Sequence, residues 1–278
     1  MINIVTALAC EANPIIQHYR LRKSTQQGGF AVYGNERITL IISGMGKFAA
    51  ASAVGYLQAL LNANQELDMG HTDSHLWLNI GIAGHKTLDL GVAIMAHRVS
   101  DVAATQRYYP CFTFDLPCAS AEVISVDQAE TAYTTEAAYD MEALGFCAAA
   151  SRFSSFELIH CLKIISDNQF TSHKHITKHV GEELIGHQLL IVESLLEEFD
   201  KIQTAMPDTR VFVHDYRLLT QRIRFSVAQK NQLRRLLQRW HVLREDSVIE
   251  CLPAQDLNNA NQVLAGIESH LQSVVYRC

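Results

Sequence analysis

Apolar residues in the first 205 positions alternate between two patterns. Short, nearly continuous apolar runs predict strands, and longer stretches with apolar residues at helical spacing predict helices. The predicted strands are Ile4–Ala9, Phe30–Tyr33, Ile38–Ser43, Leu76–Ile82, Val92–Val99, Val123–Val126 and Leu158–Ile165. The predicted helices are Phe48–Leu61, Met141–Phe153 and Glu182–Ile202. Strands that are apolar throughout lie in sheets covered on both faces, so we expect an α/β domain.

A different pattern begins after residue 205. Arg210–Val213 is predicted as a short strand. Ser226-Val227-Ala228-Gln229 has the spacing of a capping box, which predicts that a helix starts there. That helix would carry one apolar stripe, formed by Leu233, Leu236, Leu237 and Trp240. We therefore expect one domain over residues 1–205 and a C-terminal extension over residues 206–278.

The charges change at the same place. Residues 210–244 contain nine Lys or Arg and one acid, Asp215, giving a local net charge of +8 in a chain of net charge −6. The remainder is therefore at −14. The extension is basic, and its face around Arg234, Arg235 and Arg239 suits phosphate groups, although such faces are usually only solvated. Nucleic-acid contact through residues 210–244 is the less favoured interpretation.

Composition excludes several classes of protein. The 278 residues are 48% hydrophobic and 19% charged, as in folded globular proteins, which excludes disordered and fibrous chains. No uncharged run approaches the ~18 residues of a membrane span, and Met1–Val5 lacks the basic start of a signal peptide. Seven cysteines without a CxxC pair favour reduced thiols. We expect a cytoplasmic protein that does not associate with membranes.

Two motifs resemble ligand sites, one for a dinucleotide and one for a metal, but each has a simpler interpretation. Ser43–Ala49 contains G-x-G-x-x-A between a strand and a helix, but no acidic residue closes the next strand, so a dinucleotide site is disfavoured. We interpret it as a turn that lets backbone approach a small ligand. His173, His175 and His179 have metal-ligand spacing, but Lys174 and Lys178 favour a solvated segment. No metal or cofactor is predicted.

Three carboxylates lie near the ends of predicted elements. Glu11 follows the first strand, Glu142 begins a helix, and Asp167 follows the last strand of the domain. Ligands of α/β proteins collect at the carboxyl ends of strands, so Glu11, Gly81–Gly84 and Asp167 are expected to face one crevice. Each also has a local explanation, because Glu11 and Glu142 suit helix N-termini and Ser166-Asp167-Asn168 suits a turn.

Five segments occur in the order found in the nucleoside phosphorylase/nucleosidase superfamily, and the chain resembles its methylthioadenosine/S-adenosylhomocysteine nucleosidases in particular. The resemblance covers about residues 1–204. The segments are Glu11 after Val5–Cys10, Ser43–Lys47 before an alanine-rich helix, Asn79-Ile80-Gly81-Ile82-Ala83-Gly84, Asp140-Met141-Glu142-Ala143 and Ile165-Ser166-Asp167. The resemblance implies a three-layer α/β/α fold with a central mixed sheet, and an assembly of two or more copies of the chain.

The resemblance also implies a reaction, cleavage of the N-glycosidic bond of a purine nucleoside or thionucleoside. Asp167 would donate a proton to purine N7 and would be oriented by Ser166. Glu142 would hold the ribose hydroxyls above Met141, and Glu11 would activate water. The further residues expected to contact substrate are Met45, Gly81, Ile82 and Lys163.

The acceptor is either water or phosphate. Phosphorylases of this fold commonly have an arginine where this chain has Asn79, and another in the first loop, where this chain has Glu11. A phosphate dianion needs cationic or multiple N–H partners, so the pattern favours water. Phosphorolysis, and a binding protein without turnover, remain the alternatives.

Departures from the family pattern concern substrate contacts. Ile82 replaces a serine, and Lys163 replaces an arginine whose planar fork of donors it lacks. Ser125–Glu130 contains no aromatic residue to face the purine. Tyr108, Tyr109 and Phe112 are the candidate replacements, and the base preference stays open.

Overall fold

The computed structural model describes residues 1–25, 28–64, 75–103, 105–205, 210–243, 246–253 and 258–275. Its strands are β1 (Ile2–Thr6), β2 (Arg22–Lys23), β3 (Ala31–Gly34), β4 (Ile38–Ile42), β5 (Leu76–His85), β6 (Ala93–Asp101), β7 (Arg107–Tyr108), β8 (Ala119–Ser125), β9 (Ala138–Asp140) and β10 (Ile159–Asn168). Its helices are α1 (Ala9–His18), α2 (Lys47–Asn64), α3 (Ala143–Ala150), α4 (Lys178–His187), α5 (Leu189–Ala205), α6 (Arg210–Arg222), α7 (Val227–Leu243), α8 (Val248–Cys251) and α9 (Ala260–Val275). The described residues divide into two compact units: the first comprises residues 1–61 and 75–204, and the second comprises residues 62–64, at the end of α2, together with residues 205–275.

The strands of the first unit form one mixed sheet in the order β10-β6-β8-β9-β5-β1-β4-β3-β2, with β7 paired to β6. Because β10 also pairs with β5, the strands β5, β10, β6, β8 and β9 close into a ring. Strand β5 pairs along one edge with β1 through Leu76–Asn79, and with β9 only at Gly84 and His85. In the described sheet, residues 80–83 therefore have no strand partner on that edge. This opening lies beside the end of β1.

Helices cover both faces of this sheet. Alternate strand residues such as Val5 and Trp77 share one apolar cluster with α2 and α3. Their neighbours Ile4 and Leu78 are also buried and point to the opposite face, where α1 and α4 contact the sheet. The prediction of an α/β fold with a central mixed sheet is confirmed.

The boundaries of several elements differ from the predictions. Strand β1 ends at Thr6, and the residues after Leu8 turn into α1, which the apolar pattern did not reveal because it continues from strand to helix. The single helix predicted over Glu182–Ile202 is two helices, α4 and α5, with Gln188 as the C-cap of α4. The side chain of Gln188 donates to the Gly91 carbonyl at 2.8 Å, which ties this break to the sheet.

The second unit is helical in the residues described. The strand predicted over Arg210–Val213 was wrong, since these residues begin α6, whose later residues Tyr216 and Leu219 are buried at helical spacing. The capping box at the start of α7 is confirmed: the Ser226 N–H donates to Gln229 Oε1 at 2.9 Å and the Gln229 N–H donates to Ser226 Oγ at 3.3 Å. Residues from α6, α7, α8 and α9 form a separate apolar core. No described helix combines the length and apolarity needed to cross a membrane.

Candidate active site

A cavity of about 210 Å³ opens where β1, β5 and β10 end. It lies next to the unpaired edge of β5, and the loop between β8 and β9 forms its far wall. Its lining comprises Ala7, Leu8, Glu11, Met45, Ile82, Ala83, Gly84, Val126, Ala129, Glu130, Tyr133, Tyr139, Asp140, Met141, Glu142, Ser166, Asp167, His173 and Ile176. The three carboxylates singled out from the sequence, Glu11, Glu142 and Asp167, are thus brought together.

Glu11 is held in the first turn of α1 by backbone donors. Its Oε2 accepts from the N–H groups of Ala7 and Leu8, both at 2.8 Å, and its Oε1 accepts from the Ile82 N–H at 3.0 Å. The carboxylate therefore caps the N-terminus of α1, the local role that its position in the sequence suggested. It also accepts a hydrogen bond from the open edge of β5. Burial raises the pKa of Glu11 despite these three hydrogen bonds and the charge of Lys163, which makes its carboxylate a better proton acceptor.

Gly81 explains how Glu11 fits against β5. A Cβ atom added at Gly81 would lie 3.0 Å from Glu11 Oε1 and 3.5 Å from Lys163 Nζ. A side chain here would therefore press on both groups. Gly81 and Lys163 lie outside the cavity lining, so the structure places both beneath the cavity, although the sequence predicted them as substrate contacts.

Lys163 is buried because its charge has a partner. Its Nζ lies 2.7 Å from Asp140 Oδ2, and both side chains are almost completely inaccessible. Asp140 also accepts from Ser125 Oγ at 2.6 Å and from the Ala143 N–H at 2.7 Å. A buried ion pair is tolerated when further hydrogen bonds satisfy it, as here. The pair anchors the start of α3, and Glu142 is the N-cap residue of that helix.

Glu142 enters the cavity beside the glycine turn of residues 43–46. Gly44 and Gly46 have positive φ angles of 83° and 98°, and the Gly46 N–H donates to Glu142 Oε1 at 2.7 Å. Burial, followed by the negative charge of Asp140, raises the pKa of Glu142 to about 7. The turn thus brings backbone to a small site, as predicted, and it places Met45 in the lining.

Helix α3 reaches this turn because its own residue Gly145 has no side chain. A Cβ atom added at Gly145 would lie 1.9 Å from the carbonyl oxygen of Lys47, the first residue of α2. Any side chain would push the two helices apart. This backbone approach is what brings Gly46 and Glu142 within hydrogen-bond distance.

Asp167 is positioned by a β-bulge near the end of β10. Ile165 pairs with Ala83 and Asp167 with Gly84, so Ser166 is the extra residue. Bulges re-aim side chains, and here both Ser166 and Asp167 reach the cavity. Ser166 Oγ donates to Asp167 Oδ1 at 2.6 Å.

The other oxygen of Asp167 accepts from the Tyr133 hydroxyl, a contact that the sequence did not suggest. Tyr133 is buried and has a positive φ of 43°, an uncommon conformation for a residue with a Cβ atom. Gly84 makes room for the pair, because an added Cβ would lie 2.7 Å from Asp167 Oδ2 and 2.8 Å from the Tyr133 ring. Burial and the Asp167 carboxylate raise the pKa of Tyr133.

The aromatic wall comes from residues that the sequence analysis passed over. Tyr133 and Tyr139 line the cavity with their rings 5.8 Å apart, and Val126, Ala137 and Met141 pack with them. The replacements expected from the sequence, Tyr108, Tyr109 and Phe112, are absent from the described lining. Their positions in the sequence could have indicated this role, because Tyr133 and Tyr139 are the first aromatic residues after Ser125–Glu130.

The other residues singled out from the sequence lie partly in the cavity lining and partly outside it. Ile82 and Met141 line the cavity, and His173 also lines it while His175 and His179 are exposed. No metal-binding cluster occurs among the described residues. Asn79, at the position discussed for phosphate, points to β1 and donates to the Val5 carbonyl at 3.0 Å.

Apart from His173, the ionisable side chains of the described lining are carboxylates or tyrosines, and one of the carboxylates, Asp140, pairs with the buried Lys163 outside the lining. The described lining contains five carboxylates and no lysine or arginine. An anionic ligand would therefore meet repulsion without a cationic partner, whereas positive charge that develops inside would be stabilised.

No protein-family model and no curated protein matches the sequence. Solved structures do match the fold. The 5′-methylthioadenosine/S-adenosylhomocysteine nucleosidase from S. pneumoniae is 17% identical, with a TM-score of 0.53 over 70% of this chain and 97% of that chain. Futalosine hydrolase of Helicobacter pylori is 15% identical, with a TM-score of 0.54 over 71% and 97%.

A third match is the 5′-methylthioadenosine/S-adenosylhomocysteine nucleosidase of Colwellia psychrerythraea in complex with adenine. It is 16% identical, with a TM-score of 0.54 over 71% of this chain and 95% of that chain. This chain has the nucleoside phosphorylase/nucleosidase fold. At a sequence identity of 15–17%, this similarity concerns the fold alone.

Proposed function

We propose that this protein hydrolyses the N-glycosidic bond of a purine nucleoside or thionucleoside. The observation that carries the proposal is the convergence of Glu11, Glu142 and Asp167 on one cavity whose described lining has no lysine or arginine. Cleavage of a glycosidic bond develops positive charge on the sugar, which carboxylates stabilise. The adenine bound to the Colwellia neighbour and the hydrolase activity named for the Helicobacter neighbour support a purine leaving group and water as acceptor.

The three carboxylates take separate roles in the proposed reaction. As the bond between C1′ and the base nitrogen breaks, its electron pair passes to the base. Asp167, which must enter the reaction as the carboxylic acid, donates its proton to purine N7 and becomes a carboxylate, to which the Ser166 and Tyr133 hydroxyls donate. Glu142 accepts hydrogen bonds from the ribose hydroxyls, with Met141 against the sugar. Glu11 removes a proton from water as the water oxygen bonds to C1′. The products are the free base and the free sugar.

Several contacts support these roles. The Ser166 hydroxyl holds one oxygen of Asp167 and the Tyr133 hydroxyl holds the other, which limits rotation of the carboxyl group. Burial raises the pKa of Glu11, as suits a proton acceptor near neutral pH. The rings of Tyr133 and Tyr139 offer the cavity an aromatic wall for a base.

Phosphorolysis is less well supported by the same cavity. A bound phosphate would need cationic or several N–H donors, and the Ile82 N–H at the open edge of β5 already donates to Glu11. Asn79, Glu11 and the described lining supply no cation. Water needs none, so the hydrolytic form is preferred.

The test is to incubate the full-length protein with methylthioadenosine, S-adenosylhomocysteine, futalosine, adenosine and inosine, each with and without phosphate. Free base and sugar are followed by chromatography. We expect base release that does not depend on phosphate, together with unphosphorylated sugar. Release that requires phosphate would replace hydrolysis by phosphorolysis. No release from any nucleoside, with nucleoside binding intact, would indicate a binding protein.

A further inference from the structure

Helices α6 and α7 of the second unit concentrate cations without exposed acids. The sequence of α7 contains no Asp or Glu, and the one acid of α6, Asp215, is buried. Asp215 accepts from Ser247 Oγ at 2.5 Å and from the Val248 N–H at 2.6 Å, so its charge is used inside the unit. Six basic side chains are exposed here with no ion pair to another described residue: Arg222, Arg224, Lys230, Arg234, Arg235 and Arg239.

Four of these side chains form the basic strip of α7, which consists of Lys230 and Arg234 on one flank of the exposed surface and of Arg235 and Arg239 on the other, about 140° away around the helix axis. The pairs Lys230/Arg234 and Arg235/Arg239 are each four residues apart, so like charges are neighbours on the helix surface. Such pairs weaken an isolated helix, and the apolar residues Leu233, Leu237 and Trp240 hold α7 in place by packing on its other side. The like charges repel one another in the free protein, and a bound polyanion would relieve this repulsion.

The side chains along α7 narrow the chemistry of that polyanion. Three of the four cations are arginines, whose planar forks pair with two phosphate oxygens at once. Asn231, Gln232 and Gln238 lie between them, with Asn231 and Gln232 exposed. Amide side chains donate and accept, as recognition of base edges requires, and a lipid surface would offer them no such partner. This combination favours nucleic acid over an anionic membrane.

The arrangement of α6 and α7 indicates which kind of nucleic acid would bind. Helix α6 ends at Arg222 and α7 begins at Val227, so four residues join two consecutive helices that pack on each other. A second helix that follows a short turn and exposes Arg, Asn and Gln is also found in helix-turn-helix proteins, whose second helix enters the major groove. The major groove of B-form DNA admits a helix, whereas that of A-form RNA is too narrow. We infer that α7 binds the major groove of double-stranded DNA, with the basic strip on the phosphates.

The test uses the full-length protein and a fluorescent DNA duplex of about 20 bp, roughly two helical turns. Fluorescence anisotropy gives the affinity between roughly 50 and 200 mM salt. Four phosphate contacts predict a log–log salt slope of about −3.6, which is a loss of affinity on the order of 100-fold over that range. The Arg235→Gln/Arg239→Gln variant is expected to halve the slope. Lys178→Gln/Lys201→Gln, which removes two exposed cations from the first unit, is the matched control and is expected to leave the slope unchanged.

Two further arms separate the sources of negative charge. An RNA duplex of the same sequence and phosphatidylserine vesicles are each expected to bind more weakly than DNA. Absence of DNA binding at the lowest salt, stronger binding to RNA or vesicles, or equal loss in both variants would overturn the inference. Circular dichroism checks that both variants fold. Base release does not enter these measurements, so the inference and the proposed enzymatic function can fail separately.

Discussion

The cavity of the first unit and the basic strip of the second each collect charge of one sign, but in opposite surroundings. Glu11 and Glu142 are buried and accept hydrogen bonds from backbone N–H groups, and burial raises the pKa of both. The arginines of α7 are exposed, so water and salt screen their interactions. The difference shows what each charge can do: proton transfer needs a carboxylate shielded from water, whereas attraction of a polyanion needs cations that remain accessible.

The largest effect is expected from Asp167→Asn. The amide cannot donate the same proton to the departing base, so the rate of base release should fall by about 10²- to 10⁴-fold. Asp127→Asn is the matched control, since Asp127 is an exposed acid that pairs with Lys47 and does not line the cavity. Its rate should equal that of the wild type. Full turnover by Asp167→Asn would remove Asp167 from the reaction.

Glu142→Gln separates activity from stability. Glu142 should bind ribose best when ionised, so the wild-type kcat/KM is expected to rise with pH through about 7. The same raised pKa means that the folded state holds this proton more tightly than the unfolded state, so Glu142 costs stability as pH rises from 4.5, its ordinary pKa, to about 7.

The variant should therefore lose roughly 10²-fold in kcat/KM while gaining stability at alkaline pH. A gain on the order of 1 kcal/mol corresponds to about 2–4 °C in Tm. Calorimetry at pH 8 should show it, and the difference should vanish below pH 4.5, where Glu142 is neutral in both the folded and the unfolded state. A lower Tm for the variant at pH 8 would contradict this account.

A smaller effect is expected from Tyr133→Phe. The change removes the hydroxyl that holds one oxygen of Asp167 and keeps the ring in the cavity wall. We expect kcat to fall about 10-fold, the size of a lost hydrogen bond to a charged group, with KM little changed. Steady-state kinetics measure this, and Tyr108→Phe, outside the described lining, serves as the control. A change in KM alone would assign Tyr133 to substrate binding.

The smallest effect is expected from salt on base release. The buried carboxylates are little screened, so kcat/KM for a neutral nucleoside should vary less than about twofold between 50 and 200 mM salt. DNA binding by α7 should fall steeply over the same range. Parallel salt titrations compare the two regions directly, and a steep salt dependence of base release would remove the contrast between them.

Much of the first unit could be predicted because its signals are local. Apolar runs located β4, β5, β6 and β10 to within a few residues, and the positions of Glu11, Gly81–Gly84 and Asp167 at strand ends predicted a shared crevice. Local signals failed where one apolar run serves two elements. Helix α1 follows β1 without a polar break, and α4 and α5 are separated by a contact between Gln188 and Gly91 that is distant in sequence.

What the sequence by itself determined is the fold class, the capping box of α7 and the separation of charge between the two parts of the chain. These depend on spacing and composition. Tertiary structure alone decided that Tyr133 holds Asp167, that Lys163 lies beneath the cavity with Asp140, and that Gly84 and Gly145 permit close approach. The physical reason is that a hydrogen bond, a buried ion pair and a steric contact depend on distances between residues far apart in the chain, which no local pattern encodes.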